Sequence, residues 1–327
     1  MKSIFKLLNI FALIIFSVNV FAQQLPQYSD YMINYVALNP AAAGTPGCMM
    51  ARIGYRSQWV GAAAAPQTGF FTVHKNIEKR KGTIRQDKHA WGLKIESDGT
   101  GVNGPISMLS IQGAYAYHKP VGTGKYLSFG IYAGIIQYDY KENNIKLPET
   151  SFLDDPVTAG ANNRALIYPD INPGIMYYSN NGYIGYSLKN LIGNRLSKVY
   201  GSGTSARLVK HHYLTFGRSI DIGSTAFAII PSANIKFVSH FPPSFDITCM
   251  FDYRNMIDVG LQYRYFDGIN TIINLKLKNF TIGYVYDYNL SAMKYGSGNG
   301  HELVFGYRFC VEEPIDKLQK EHCPAYR

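Results

Sequence analysis

The chain has 327 residues, a formal net charge of +10, 26 Tyr and 31 Gly, and only 17% of its residues are charged. An ordinary water-facing surface calls for about 25% charged residues, so that composition argues against a plain soluble domain. The basic balance would suit nucleic acid in another compartment, but the export signal described next excludes nucleic acid as a partner. Anionic membrane lipid or an acidic protein face is the expected counterpart.

The chain opens with Lys2 and Lys6, then an almost wholly apolar run from Leu7 to Val20, then Val20-Phe21-Ala22. A short positive region, a short apolar core and a cleavage-like site make residues 1–22 a secretory signal peptide rather than a membrane helix. Gln23, not Cys, follows, which argues against a lipoprotein anchor. Beyond it no run of about 18 apolar residues predicts a transmembrane helix. Residues 23–47 are apolar on several sides. Ser29 is placed to cap a short helix through about Ala37, which Asn39-Pro40 would stop. Such a segment needs burial, as a small plug in a lumen or a lid at the periplasmic mouth.

From residue 48 to residue 310 the organising signal is alternation. Phe245, Ile247, Cys249 and Phe251 oppose Asp246, Thr248 and Asp252. Ile257, Val259, Leu261 and Tyr263 oppose Asp258, Gly260, Gln262 and Arg264. Phe280, Ile282, Tyr284 and Tyr286 oppose Thr281, Gly283 and Asp287, and Leu303, Phe305 and Tyr307 oppose Glu302 and Arg308. Period-two patterning on this scale predicts strands. They lie near 48–58, 66–75, 89–98, 105–119, 125–140, 173–179, 182–189, 210–220, 224–237, 244–253, 256–265, 269–277, 279–288 and 300–310. Most have about ten residues, the length a tilted strand needs to cross a bilayer. The expected fold is therefore all-β, a transmembrane antiparallel barrel of about 14 strands. Residues 311–327 are expected to form a polar periplasmic tail.

An even strand count returns both ends to the periplasm. The long connections 141–172, 190–209 and 289–299 then face outside. The tight turns at Asn180-Asn-Gly182, Asp221-Ile-Gly223 and Leu277-Lys-Asn279 face the periplasm. One connection breaks the rule: Asn76 to Lys88 is long yet periplasmic by this count.

A charge in hydrocarbon costs about 2–4 kcal/mol at midplane, so Arg52, Arg56, Asp246, Asp258, Arg264, Asp287 and Glu302 are expected to face the lumen. Lys94, Glu96, Asp252, Lys276 and Arg308 share that face. Their mixed signs suit paired charges that fill a barrel better than a selective pore. Lys79, Arg80, Lys81 and Arg85 crowd the one aberrant periplasmic connection. That loop reads either as a docking site for a periplasmic or lipid-anchored partner or as a solvated connection. Cys249 should face lipid. One disulfide is expected among Cys48, Cys310 and Cys323, the pair being open.

Catalysis finds no motif. His211 and His212 are adjacent, so on a strand they face opposite sides and cannot chelate one metal together. No nucleophile elbow, zinc-binding helix or phosphate loop occurs. No enzyme activity, cofactor or metal is expected. A passive channel or hydrophobic-solute transporter is the alternative from a different class.

The chain resembles the PorP/SprF family of the Bacteroidetes type IX secretion and gliding machinery. The resemblance rests on Gln27-Tyr-Ser, Asn39-Pro-Ala-Ala-Ala-Gly44, Tyr55-Arg-Ser-Gln-Trp59, Trp91-Gly-Leu-Lys-Ile-Glu-Ser-Asp98, Leu127-Ser-Phe-Gly-Ile-Tyr-Ala-Gly134, Ile282-Gly-Tyr-Val-Tyr-Asp287 and His301-Glu302, in that order. It implies an outer-membrane component that helps export secreted adhesin-type proteins or attaches them at the surface. It also implies outer-membrane lipid, periplasmic and lipoprotein components of the machinery, and secreted surface cargo as partners.

Overall fold

In the computed structural model, residues 28–62, 65–77, 87–100, 106–140, 164–195, 207–223, 226–239, 241–291 and 295–309 are described. Nearly all belong to one antiparallel sheet. Its strands are β1 (Met49–Ser57), β2 (Pro66–Asn76), β3 (Lys88–Thr100), β4 (Ile106–Gly122), β5 (Lys125–Tyr140), β6 (Arg164–Ser179), β7 (Gly182–Lys189) and β8 (His211–Arg218). They continue as β9 (Ile220–Asp221), β10 (Phe227–Val238), β11 (Ser244–Tyr253), β12 (Ile257–Arg264), β13 (Gly268–Leu277), β14 (Phe280–Asn289) and β15 (Gly300–Phe309). β9 prolongs β8 beyond Ser219 and pairs with the same neighbour, β10. The sheet is thus a barrel of 14 staves.

Each strand pairs with its neighbours in sequence, and β15 pairs with β1 to close the ring, Glu302 opposite Arg56. A closed ring leaves no unpaired edge, which is what a sheet needs in order to stand in lipid. The even stave count puts the start of β1 and the end of β15 at one end of the barrel. The tight connections after β4, β6, β12 and β13 have different ends: those at 123–124, 180–181 and 278–279 share the end of the chain termini, the turn end. The connections at 58–65, 141–163, 190–210 and 290–299 lie at the opposite, loop end, with shorter ones at 101–105, 239–243 and 265–267. The 77–87 connection is the longest at the turn end.

The expected strands are found, with one correction. β6 begins at Arg164, not near 173, so the connection before it is shorter than expected. Pro169 and Pro173 lie within β6. Both occupy odd positions, and the carbonyl of Ile171 accepts from Leu191 N, so odd positions of β6 turn their backbone toward β7. The β6–β7 ladder starts only at Gly174. Neither proline is therefore asked for a hydrogen bond it cannot donate.

The barrel is apolar outside and polar inside. Ile53, Tyr55, Ile247, Phe251, Val259, Leu261 and Phe305 are exposed, whereas Arg56, Lys94, Asp246, Gln262 and Glu302 are buried. This is the reverse of a soluble protein and fits a sheet whose outer face meets hydrocarbon. No described helix is long and apolar enough to cross a membrane.

The N-terminal segment runs inside the barrel. From Tyr28 to Thr45 every residue is buried. It holds one short helix, α1 (Tyr35–Leu38), and a 3-10 turn at Pro40–Ala42. Ser29 does not cap a helix, contrary to expectation. α1 starts after Asn34, and both polar groups of Ser29 serve acids of the barrel wall instead. Asn39 does end α1, and its side chain accepts from Ala41 N to start the turn. The turn sits where the wall has no side chains. A Cβ on Gly130 would collide with the backbone of Pro40 and Ala41, and one on Gly174 would collide with Asn39. Gly130 and Gly174 are cross-strand partners on β5 and β6, so they form one groove shaped for that turn.

Candidate functional site

The lumen contains the residues that the alternation placed there. Arg56 of β1 donates from Nη2 to Asp287 Oδ2 of β14 at 2.8 Å and from Nε to the same oxygen at 3.1 Å. Glu302 of β15 lies 3.7 Å from Arg56. Arg264 of β12 pairs with Asp246 of β11 at 3.1 Å and with Asp267 at 3.3 Å. Lys236 of β10 approaches Asp246 at 2.8 Å. Nearer the turn end, Lys276 of β13 bridges Asp258 at 2.7 Å and Asp252 at 3.3 Å. Arg52 is also buried, its Nη2 near Met50 Sδ. All seven luminal charges singled out from the sequence are thus buried on the inner face, and Arg56, Asp246, Asp258, Arg264, Asp287 and Glu302 take part in the ion pairs given above. Burying an ion is costly unless its partner and its hydrogen bonds travel with it, and here Arg56–Glu302, Lys236–Asp246, Arg264–Asp246 and Lys276–Asp258 each join adjacent staves.

The N-terminal segment is wired into this network. Ser29 N donates to Glu302 Oε2 at 2.6 Å and Ser29 Oγ to Asp287 Oδ2 at 2.8 Å. Arg264 Nη2 donates to the Tyr28 carbonyl at 3.2 Å, and Tyr28 Oη donates to Glu96 of β3. Asn274 of β13 donates to Asp30 at 2.8 Å. Farther along, contacts to neutral groups take over. Tyr35 meets Thr215 of β8, and Thr72 of β2 donates to Asn34. Tyr132, Ser187 and Ser128 donate to the carbonyls of Val36, Leu38 and Ala41. The fourteen residues from Tyr28 to Ala41 therefore touch most of the staves, and the charged contacts gather at the first three.

Several of these residues were missed in the sequence. Lys189 and Asp170 belong to a second buried group with Lys94 and Glu96, where Lys94 lies 3.2 Å from Glu96 and Gln112 donates to Asp170 at 2.7 Å. Lys189 closes β7 and Asp170 lies in the half of β6 read as loop, so alternation did not reach them. Tyr28, Ser29 and Asp30 carry no periodic signal at all. Their only trace is polar residues within a segment otherwise apolar on every side.

Cys48 is disulfide-bonded, Cys249 is free and outward between Ile247 and Phe251, and Cys310 and Cys323 lie outside the described residues. So do Lys79, Arg80, Lys81 and Arg85, residues 1–27 and the tail 311–327. His211 is buried while His212 faces outward to bond Tyr186. Among the described residues no cluster of His, Cys, Asp or Glu is arranged to hold a metal.

Known structures with this architecture are outer-membrane barrels. The Ralstonia pickettii toluene transporter TbuX is 10% identical, over 85% of this chain and 94% of its own, with a TM-score of 0.49. The monoaromatic hydrocarbon channel CymD is 10% identical, over 88% and 95%, with a TM-score of 0.50. A Pseudomonas aeruginosa FadL homologue is 11% identical, over 88% and 95%, with a TM-score of 0.42. At such identities the likeness concerns the fold alone. No curated protein matches the chain. The family described as "Type IX secretion system membrane protein PorP/SprF" matches residues 20–307, which spans the N-terminal segment and nearly the whole barrel. The outer membrane is the place for such a barrel, and components of the secretion machinery are its implied partners. The chain belongs to the PorP/SprF family of type IX secretion system membrane proteins.

Proposed function

We propose that the protein is a non-enzymatic outer-membrane component of type IX secretion and gliding, exported behind a cleaved signal peptide. In this reading it helps export secreted adhesin-type proteins or attach them at the surface. Its partners are periplasmic and lipoprotein components of the machinery. The N-terminal segment acts as a resident plug. The observation that carries the reading is the family match over residues 20–307, joined to a lumen occupied by the chain's own residues 28–45. A lumen filled in this way suits a protein that holds partners better than one that conducts solute.

The test is co-purification. A tagged mature protein extracted in mild detergent is expected to bring machinery components or surface cargo with it. Planar-bilayer recording of the same preparation is expected to show no steady open state. A steady open pore with nothing co-purifying would instead favour the passive channel or hydrophobic-solute transporter.

A further inference from the structure

At the loop end, the connection from β7 to β8 carries Arg195, Lys198, Arg207 and Lys210, and no acidic residue occurs between Asp170 and Asp221. We infer that this connection is a seat for a phosphorylated lipid of the facing leaflet, with Arg195 and Arg207 on the phosphate and Leu191 and Ile192 in the acyl layer. With the loop end outside, that lipid is a phosphorylated glycolipid of the lipid A type. The inference rests on the outer-membrane placement in the proposed function and adds to it a lipid class and the residues that hold it.

The charges are held together by the backbone. Arg195 and Arg207 stand opposite each other in an antiparallel bridge, next to the bond from Leu208 N to Asn194 O at 2.9 Å. Leu208 is buried and both arginines are exposed, so the two guanidiniums share the outer face of one hairpin. Like charges directly opposite each other destabilise a strand pair. Among the described residues, no ion pair involves Arg195, Arg207 or Lys210. A phosphate between the arginines replaces their repulsion with charge-assisted hydrogen bonds from both planar forks. The connections at 58–65, 101–105 and 239–243 carry no Lys, Arg, Asp or Glu, so such a cluster is not a general feature of the loop end.

The height of the hairpin is fixed against β6. Leu191 N donates to the Ile171 carbonyl at 3.2 Å, and Asn194 Nδ2 donates to the Pro169 carbonyl at 2.7 Å. The next outward position up β6 is Ile167, which is exposed and pairs with Gln137 of β5. Gln137 in turn donates to Asp139 at 3.0 Å. The outer face thus turns from apolar to polar just above the hairpin, as it must where hydrocarbon gives way to headgroups. On β7 and β8 the outward pair Tyr186 and His212, bonded at 2.7 Å, marks the interface just below Lys210, the place where tyrosine gathers.

Leu191 and Ile192 are exposed in the same limb that presents Arg195. A soluble anion would use the arginines and leave the two aliphatic side chains in water. A phosphorylated lipid uses both, burying apolar area and neutralising charge in one contact.

The test uses the full mature protein in non-ionic detergent, read by native mass spectrometry. The probes are diphosphoryl lipid A, the same lipid stripped of both phosphates, and inorganic phosphate. The expected result is saturable binding of the diphosphoryl form and little binding of the stripped form. Arg195→Gln with Arg207→Gln should weaken binding at least about tenfold, the loss typical of charge-assisted hydrogen bonds. Arg218→Gln with Lys278→Gln removes the same charge from exposed positions near the turn end and should change nothing. Leu191→Ser with Ile192→Ser should weaken binding several-fold. Should the double arginine variant fail to fold, Lys210→Gln and the stripped lipid decide. Undiminished binding by the arginine variant overturns the seat and leaves those side chains to solvent or to the acids of the 141–163 connection. An equal loss from the turn-end pair overturns it in favour of net charge alone. Displacement of the lipid by inorganic phosphate overturns the lipid and points to a free anion. Binding in detergent reads the seat by itself, whereas surface labelling of a tag near Asn162 reads the placement on which it rests, so the two failures are distinguishable.

Discussion

The amide of Ser29 donates to Glu302 Oε2 at 2.6 Å, joining residues 273 positions apart in sequence. This single bond ties the N-terminal segment to the last stave, beside the Arg56–Asp287 pair that links the first stave to the one before it. The seam where the barrel closes and the anchor of its luminal segment are the same group of side chains.

The first prediction follows from that overlap. Arg56→Ala removes two of the three donors to Asp287 Oδ2 and leaves a buried carboxylate with Ser29. Breaking a buried pair from one side typically costs about 3–5 kcal/mol, so the urea midpoint in detergent should fall clearly. Glu302→Gln keeps an acceptor for Ser29 and should cost less than half as much. Equal losses would mean that the charge of Glu302 holds this seam as strongly as the Arg56–Asp287 pair does.

The groove for the 3-10 turn gives a second prediction. Gly130→Val places carbon where Ala41 runs, while Gly69 of β2 has open space at its Cβ position. The Gly130 variant should still form a barrel that resists denaturation until boiled. Its N-terminal segment should become open to chymotrypsin at Tyr28, Tyr31 and Tyr35, which are buried in the parent. Gly69→Ala should behave like the parent. A Gly130 variant as resistant as the parent would mean that the wall yields and the segment stays.

The staves were legible because each carries its own burial code. Lipid on one face and a filled lumen on the other force strict alternation, and a one-residue slip would put Asp246 or Arg264 into hydrocarbon. The first half of β6 was hidden because prolines such as Pro169 normally mark a break, although Pro173 itself opened the expected strand. Only the early end of the β7 ladder makes them harmless, and that is a property of the neighbour. The luminal segment was legible as something buried, yet its partners were not. Its shape follows the wall it lies on, so Ser29 obeys Asp287 and Glu302 rather than helix-capping preference.

Orientation is the third prediction. The 141–163 connection belongs to the loop end and the turn at 180–181 to the opposite end. A tag inserted near Asn162 should be reachable on intact cells, and one near Asn181 should need a permeabilised envelope. The reverse pattern would turn the barrel over and put the long connections on the periplasmic side.

The fourth prediction concerns the basic connection at the turn end. Lys79, Arg80, Lys81 and Arg85 lie between β2 and β3, where neighbouring connections at 123–124, 180–181 and 278–279 have two residues each. We propose that the cluster meets an acidic face of a periplasmic partner. Reversing Lys79, Arg80 and Lys81 to Glu should leave the barrel folded, since the strands on either side keep their ladders and the charges stay outside hydrocarbon. It should weaken assembly, because clustered charges steer encounter and like charges repel across an interface. The defect should deepen as salt falls, since screening sets in beyond about 8–10 Å near physiological ionic strength. The measurement is co-purification of machinery components with the reversed protein across a salt series, together with delivery of cargo to the cell surface. Recovery and delivery equal to the parent at low salt would make the connection a solvated one, and the partner's contact would then have to be sought on the tight turns around it.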